Sequence, residues 1–251
     1  MKYGLIGSGM LGGALAKAAH ASGLDLMVAN RSGQSPVEGL PVTTDPQAVV
    51  EACDAVVLCV PPASAGEIAM RARDTLVVSV MAGIPRDQIC ALTGSPRVVR
   101  AMSSPAAGLG LAYSPWCASA SVTAADRAMI SAFFGACGET DEVPDEAQIE
   151  LFTAMTGPVP GFVAQFAASM VTYATERGVD PDVADRAVRQ LFHASGVMMS
   201  TGPSPADHVQ EMVEYAGTTA AGLLALQATT LDEDIATGLD AAVQKTRALG
   251  G

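Results

Sequence analysis

The chain has 251 residues, 49% of them apolar, enough for one large core or two smaller ones. Its 14 basic against 26 acidic residues give a formal charge of -12, a field that repels nucleic-acid backbones and anionic membranes, so neither is expected as a partner. Five cysteines without a C-x-x-C pair and three unpaired histidines argue against a disulfide framework or a zinc site, so no metal is expected and a reducing cytoplasm fits best.

Tyr3 to Ile6 predicts a strand, and an Ala-rich stretch from Met10 to about Ala21 predicts a helix. Between them lies Gly7-Ser8-Gly9-Met10-Leu11-Gly12, the Gly-x-Gly-x-x-Gly spacing of a dinucleotide-binding turn. There Gly7 makes the turn, Gly9 lets a pyrophosphate reach the backbone, and Gly12 lets helix and strand pack closely. Lys2 leads straight into the strand rather than into a secretory h-region. The apolar runs at 55–62 and 76–84 are far shorter than the ~20 residues that cross a bilayer.

Further strands are predicted at Leu26–Ala29, Ala55–Val60, Leu76–Val80 and Val98–Met102, which together describe a parallel sheet covered by helices. Asn30-Arg31-Ser32 follows the second strand, where a carboxylate would bind the ribose 2′-hydroxyl of NAD. An Arg with Asn and Ser can instead hold a 2′-phosphate, which favours NADPH/NADP; a solvated arginine in a turn is the alternative. Strand C-terminal ends face the ligand crevice, so Val60, Pro61, Ala82 and Gly83 are expected beside the cofactor. Residues 33–45 read as a loop with at most one short edge strand. A helix starting at Ala63-Ser64, a strand at Leu109–Tyr113, a helix from Ala124 to about Phe134 and an edge at Glu139–Val143 complete this half.

After Pro144 the β-branched clusters stop, which divides the chain into 1–145 and an all-helical 146–251. Phe162, Phe166, Met170 and Tyr173 recur at helical spacing and read as core or dimer interface. Asp180-Pro181 and Ser204-Pro205-Ala206-Asp207 each open a helix, with a capping side chain followed by Pro at the first helical position. A last helix carries Ile235, Leu239 and Val243. Gly217-Thr218-Thr219-Ala220-Ala221-Gly222 sits within this series, and the residues alone allow an anion-binding helix start or an ordinary threonine cap.

Taken together, Gly7–Leu15, Asn30-Arg31-Ser32, Ser79–Ile84, Val98–Met102, Thr153-Ala154-Met155-Thr156-Gly157 and Gly217–Gly222 resemble the pyrroline-5-carboxylate reductase family, in the family's order along nearly the whole chain. The resemblance implies an α/β N-terminal Rossmann-type domain and a C-terminal all-helical dimerisation domain. It further implies a homodimer with interleaved helices, whose active sites draw on both chains, and larger assemblies of such dimers. The implied reaction is NADPH-dependent reduction of a cyclic imine, Δ1-pyrroline-5-carboxylate, to proline. In that picture Thr219 bonds the ring nitrogen while Gly217 and Thr218 hold the substrate carboxylate.

The departures fall at the substrate end. Met102-Ser103-Ser104-Pro105 is one residue shorter than the family's Met-Pro-Asn-Thr-Pro and lacks its Asn. Pro158-Val159 replace a Ser and a Gly, and Glu214-Tyr215-Ala216 replace Ser-Pro-Gly. These changes leave open another imine, a keto acid, or a non-catalytic NADP-binding module.

Overall fold

The computed structural model describes residues 1–157 and 160–249. The expected changes at Pro158 and Val159 therefore lie outside the described residues. Two compact units emerge, one of residues 1–159 with 239–251, the other of residues 160–238.

The first unit is built on a seven-stranded sheet in the order β3-β2-β1-β4-β5-β6-β8. Its strands are β1 (Lys2–Ile6), β2 (Asp25–Ala29), β3 (Val42–Thr43), β4 (Ala55–Leu58), β5 (Leu76–Ser79), β6 (Val98–Ala101) and β8 (Trp116–Ala118). All neighbours are parallel except β6 and β8. A separate parallel pair joins β7 (Ala112–Tyr113) to β9 (Gly138–Glu139). The helices of this unit are α1 (Met10–Ala21), α2 (Pro46–Ala52), α3 (Arg86–Thr93), α4 (Ala124–Gly135) and α5 (Glu146–Met155).

The near-continuous apolar strands fit a sheet covered on both faces. Leu5, Val28, Val57, Val78 and Val99 share one core with Leu15 of α1 and Phe133 and Phe134 of α4. On the opposite face Ile6, Val56, Leu58, Val77 and Val98 pack with Val49 and Ile89. The strand period of two thus feeds both cores.

Several predicted boundaries change. The strand expected to reach Val60 ends at Leu58, because Pro61 and Pro62 have no N–H with which to extend the ladder. The helix expected from Ala63 is only a 3-10 segment, Pro62–Glu67. The strand expected at Leu109–Tyr113 shrinks to Ala112–Tyr113, since Leu109 ends another 3-10 segment and Gly110 turns the chain at φ 71°. The edge expected at 139–143 is two residues, Gly138–Glu139, with an isolated bridge from Trp116 to Glu142. The antiparallel β8 has no counterpart among the predicted strands.

The second unit holds α6 (Gly161–Thr175), α7 (Pro181–Met199), α8 (Pro205–Glu214), α9 (Thr218–Gln227) and the start of α10 (Leu231–Arg247). Its caps follow the sequence reading. Asp180 accepts from the backbone N–H groups of Asp182 and Val183, and Ser204 with Asp207 forms a capping box. No helix among the described residues is long and apolar enough to cross a membrane.

Candidate active site

The glycine turn sits at the point where strand order reverses, between β1 and β4, and opens a cleft of about 830 Å³. Gly7 adopts φ 94°, and a Cβ there would lie 2.4 Å from the Cys59 carbonyl oxygen. A Cβ on Gly12 would lie 2.1 Å from the Gly7 carbonyl oxygen. Both positions therefore exclude a side chain. At Gly9 a Cβ would meet nothing within 4 Å, so the protein leaves open the space a phosphate needs.

Gly9 is the N-cap of α1 and no side chain caps that end, so its first N–H groups face the cleft unsatisfied. The helix dipole adds to their attraction for an anion. The residues present thus fit the pyrophosphate of a dinucleotide.

At the β2 end, the Asn30 side-chain amide donates to Ser8 Oγ at 2.8 Å and to the Gln34 carbonyl at 2.7 Å, while Ser32 Oγ donates to Asn30 Oδ1. Asn30 is thus committed to holding the β2 loop against the glycine turn. Arg31, by contrast, is exposed and has no hydrogen bond or ion pair among the described residues. In a strongly acidic chain the cleft carries, among the described residues, one cation, Arg31, against one carboxylate, Glu67, and the arginine is available to a 2′-phosphate.

Gly7 through Gly12, Asn30, Arg31, Ser32, Val60, Pro61 and Ala82 all line this cleft. Gly83 does not; it turns the chain at φ 78° one residue beyond Ala82. Met102, Ser103 and Pro105 line it as well, with Thr153 of α5 and Gly157 just beyond that helix. The strand-end rule that singles out Val60 applies equally to Met102 at the end of β6, whereas no periodicity in α5 marks Thr153.

Ion pairs hold α5 over the sheet. Glu146 accepts from the Arg86 backbone N–H at 2.7 Å and its Nε at 2.9 Å, and from buried Arg100 at 3.3 Å. Glu150 reaches Arg247 of α10 at 2.7 Å. Burial alone would raise the Glu146 carboxyl, but the Arg86 hydrogen bonds and the two guanidinium charges hold it below its usual range. Cys59, also in the cleft, is pushed up to about 12 by burial and is a neutral thiol.

Gly217, Thr218 and Thr219 belong to the second unit and are not among the lining residues of this cleft. Gly217 is the N-cap of α9, and no side chain caps the helix. Thr218 and Thr219 are exposed, and their hydroxyls have no partner among the described residues. The helix start thus offers free N–H groups and free hydroxyls together. Ala216 just before it is the one non-glycine residue at positive φ, 57°, among the described residues.

Two family models match the chain. Residues 146–249 match pyrroline-5-carboxylate reductase dimerisation, and residues 2–83 match NADP oxidoreductase coenzyme F420-dependent. The pyrroline-5-carboxylate reductase of Pseudomonas aeruginosa is 28% identical over 236 residues, covering 93% of this chain and 82% of that protein. Among solved structures, the reductase from Coxiella burnetii superposes with a TM-score of 0.89 at 23% identity, covering 100% of this chain and 98% of the other. The Plasmodium falciparum pyrroline carboxylate reductase with NADP bound gives 0.83 at 23% identity, again with 100% and 98% covered. An uncapped dinucleotide turn, a free helix start at Gly217 and relatives aligned along the whole chain agree: this chain is similar to pyrroline-5-carboxylate reductases over its length, and residues 146–249 match their dimerisation region.

Proposed function

We propose that this chain reduces Δ1-pyrroline-5-carboxylate to proline, with NADPH bound in the cleft supplying a hydride from its nicotinamide. The observation that carries the reading is the pair of uncapped helix starts, Gly9–Met10 in the cleft and Gly217–Thr218 in the helical unit. One suits the cofactor's pyrophosphate and the other a substrate carboxylate.

The protonated cyclic imine is already an electrophile, so these residues need only position it. The backbone N–H groups at Gly217 and Thr218 hold the carboxylate. Thr219 Oγ1 bonds the ring nitrogen and keeps the proton localised there as the neighbouring carbon accepts hydride. Val60, Val80, Met81 and Met102 line the cleft with apolar surface and keep water from the reacting carbon. Catalysis is then mainly orientation of donor against acceptor.

The assembly is a homodimer with interleaved helical units, in which Gly217–Thr219 of a second copy complete the cleft of the first. The apolar stripe of α6 supports this, because Phe166 is 48% and Tyr173 61% exposed in the single chain. Five free thiols suit a reducing cytoplasm. Oxidation of NADPH followed at 340 nm with Δ1-pyrroline-5-carboxylate tests the reading, the wavelength being about where reduced nicotinamide absorbs. Proline formation at a matching rate is expected; no turnover of this imine overturns it.

A further inference from the structure

The cleft contains a donor and an acceptor whose roles are fixed by their own protein partners. Ser103 and Ser114 are 2% and 0% exposed, and their Oγ atoms lie 2.9 Å apart. Ser114 Oγ has no other partner among the described residues. Either hydroxyl can donate across this contact, but Ser114 does not line the cleft, so Ser103 is its one acceptor among the described residues whereas Ser103 can turn its own hydrogen to a ligand. With Ser114 as donor, the Ser103 O–H has no acceptor among the described residues, on a residue that lines the cleft. Thr153 is the reverse case. Its Oγ1 donates to the Ile149 carbonyl at 2.6 Å, so it offers the cleft an acceptor lone pair.

Ser103 follows β6 and enters the cleft beside Met102, and Thr153 lines the same cleft from α5, while Arg31 stands beyond β2 on the other side of β1. With phosphates on α1 and a 2′-phosphate at Arg31, the nicotinamide end must run toward β5 and β6. A carboxylate there would be repelled by the lone pair of Thr153. A primary amide matches both groups, presenting C=O to a donor and NH2 to an acceptor.

We propose that Ser103 and Thr153 form a carboxamide-recognition pair, Ser103 donating to the carboxamide oxygen of the nicotinamide and Thr153 accepting from its NH2. This fixes the ring's orientation in the cleft and gives a role to the shortened Met102-Ser103-Ser104-Pro105 turn. The inference rests on the cofactor reading above.

Calorimetric binding of NADP+ and its 3-acetylpyridine analogue, which keeps the carbonyl but replaces NH2 with methyl, tests the pair without turnover. The wild-type protein should prefer NADP+ by about fivefold, the size of one such bond. Thr153→Val should abolish that preference and Thr153→Ser should restore it. Ser103→Ala should weaken both ligands by about fivefold and keep the preference. A wild-type protein that binds both ligands equally, a Thr153→Val variant that still discriminates, or a Ser103→Ala variant with unchanged affinities overturns the proposal. Unaltered thermal unfolding of the variants shows that they are folded, and the wild-type comparison stands without them. Failure of the wild-type protein to bind NADP+ at all would instead overturn the cofactor reading.

Discussion

The two units handle their apolar side chains in opposite ways. In the sheet unit, Leu5, Leu15, Phe133, Phe134 and Ile149 are sealed from water, and both faces of the sheet are filled. In the helical unit Ala184, Val188 and Ala220 are the only buried hydrophobics among the described residues, while Phe162, Phe166, Leu191, Met198 and Leu224 stand exposed. α6 and α8 bury nothing. The sheet core of the first unit is closed within a single chain. The second unit leaves an apolar surface unpartnered in the single chain, and it lies within residues 146–249, which match the dimerisation model.

The contrast breaks most completely at the helical face. Phe166→Asp places a charge within that apolar surface, which costs on the order of 3 kcal/mol or more per copy if the surface is an interface. Analytical ultracentrifugation should then show monomers, with activity lost at assay concentrations. A variant that remains a fully active oligomer would remove α6 from the interface.

The sheet unit should fail in a different way. A Gly9 side chain has open space, so Gly9→Glu should fold with an unchanged unfolding temperature while its carboxylate occupies the phosphate position. NADPH affinity should fall about a hundredfold or more in calorimetry, by like-charge repulsion at a helix start. Gly12→Ala should also lower thermal stability, because its Cβ meets the Gly7 carbonyl oxygen at 2.1 Å. Equal stability losses in the two variants would contradict this division of roles.

Arg31→Ala should weaken NADPH by about tenfold, the value of one charge-assisted contact to a 2′-phosphate, and leave NADH nearly unchanged. Equal losses for the two cofactors would return Arg31 to a solvated turn.

The smallest effect belongs to Glu146. Its folded-state pKa lies below the ordinary value, so its contribution to stability is present above the unfolded pKa and is lost as pH falls through the folded one. Glu146→Gln should therefore be less stable at pH 7 and should lose less on acidification below about pH 4, in the ordinary carboxylate range. Parallel unfolding curves down to about pH 3, below the ordinary carboxylate range, would remove Glu146 from the acid limb.

Much of the sheet unit was legible because strand period and glycine spacing are local signals. Gly7–Gly12 reads directly onto the turn from β1 into α1, and the apolar runs at 55 and 76 onto β4 and β5. The trimmed strand ends and the two 3-10 segments followed from Pro61-Pro62 and Gly110, whose effects depend on where partner strands stop. β8 was invisible because Trp116-Cys117-Ala118 has no alternation and gains its pairing only from β6. The donor and acceptor characters of Ser103 and Thr153 arise from Ser114 and the Ile149 carbonyl, contacts that sequence spacing does not carry. Gly217–Thr219 could be singled out by their spacing, but what would face them in the assembly proposed above is not written in that spacing.

The proposed sharing of one active site between two chains is open to direct complementation. Gly9→Glu removes the cofactor site and Thr219→Ala weakens the substrate end, so refolding an equal mixture of the two chains tests whether one active site draws on two copies. Random pairing makes half of the dimers mixed, each with one intact site, so about a quarter of wild-type activity is expected above the sum of the parent variants. Activity no higher than that sum would mean that each site is built from a single chain, contradicting the account.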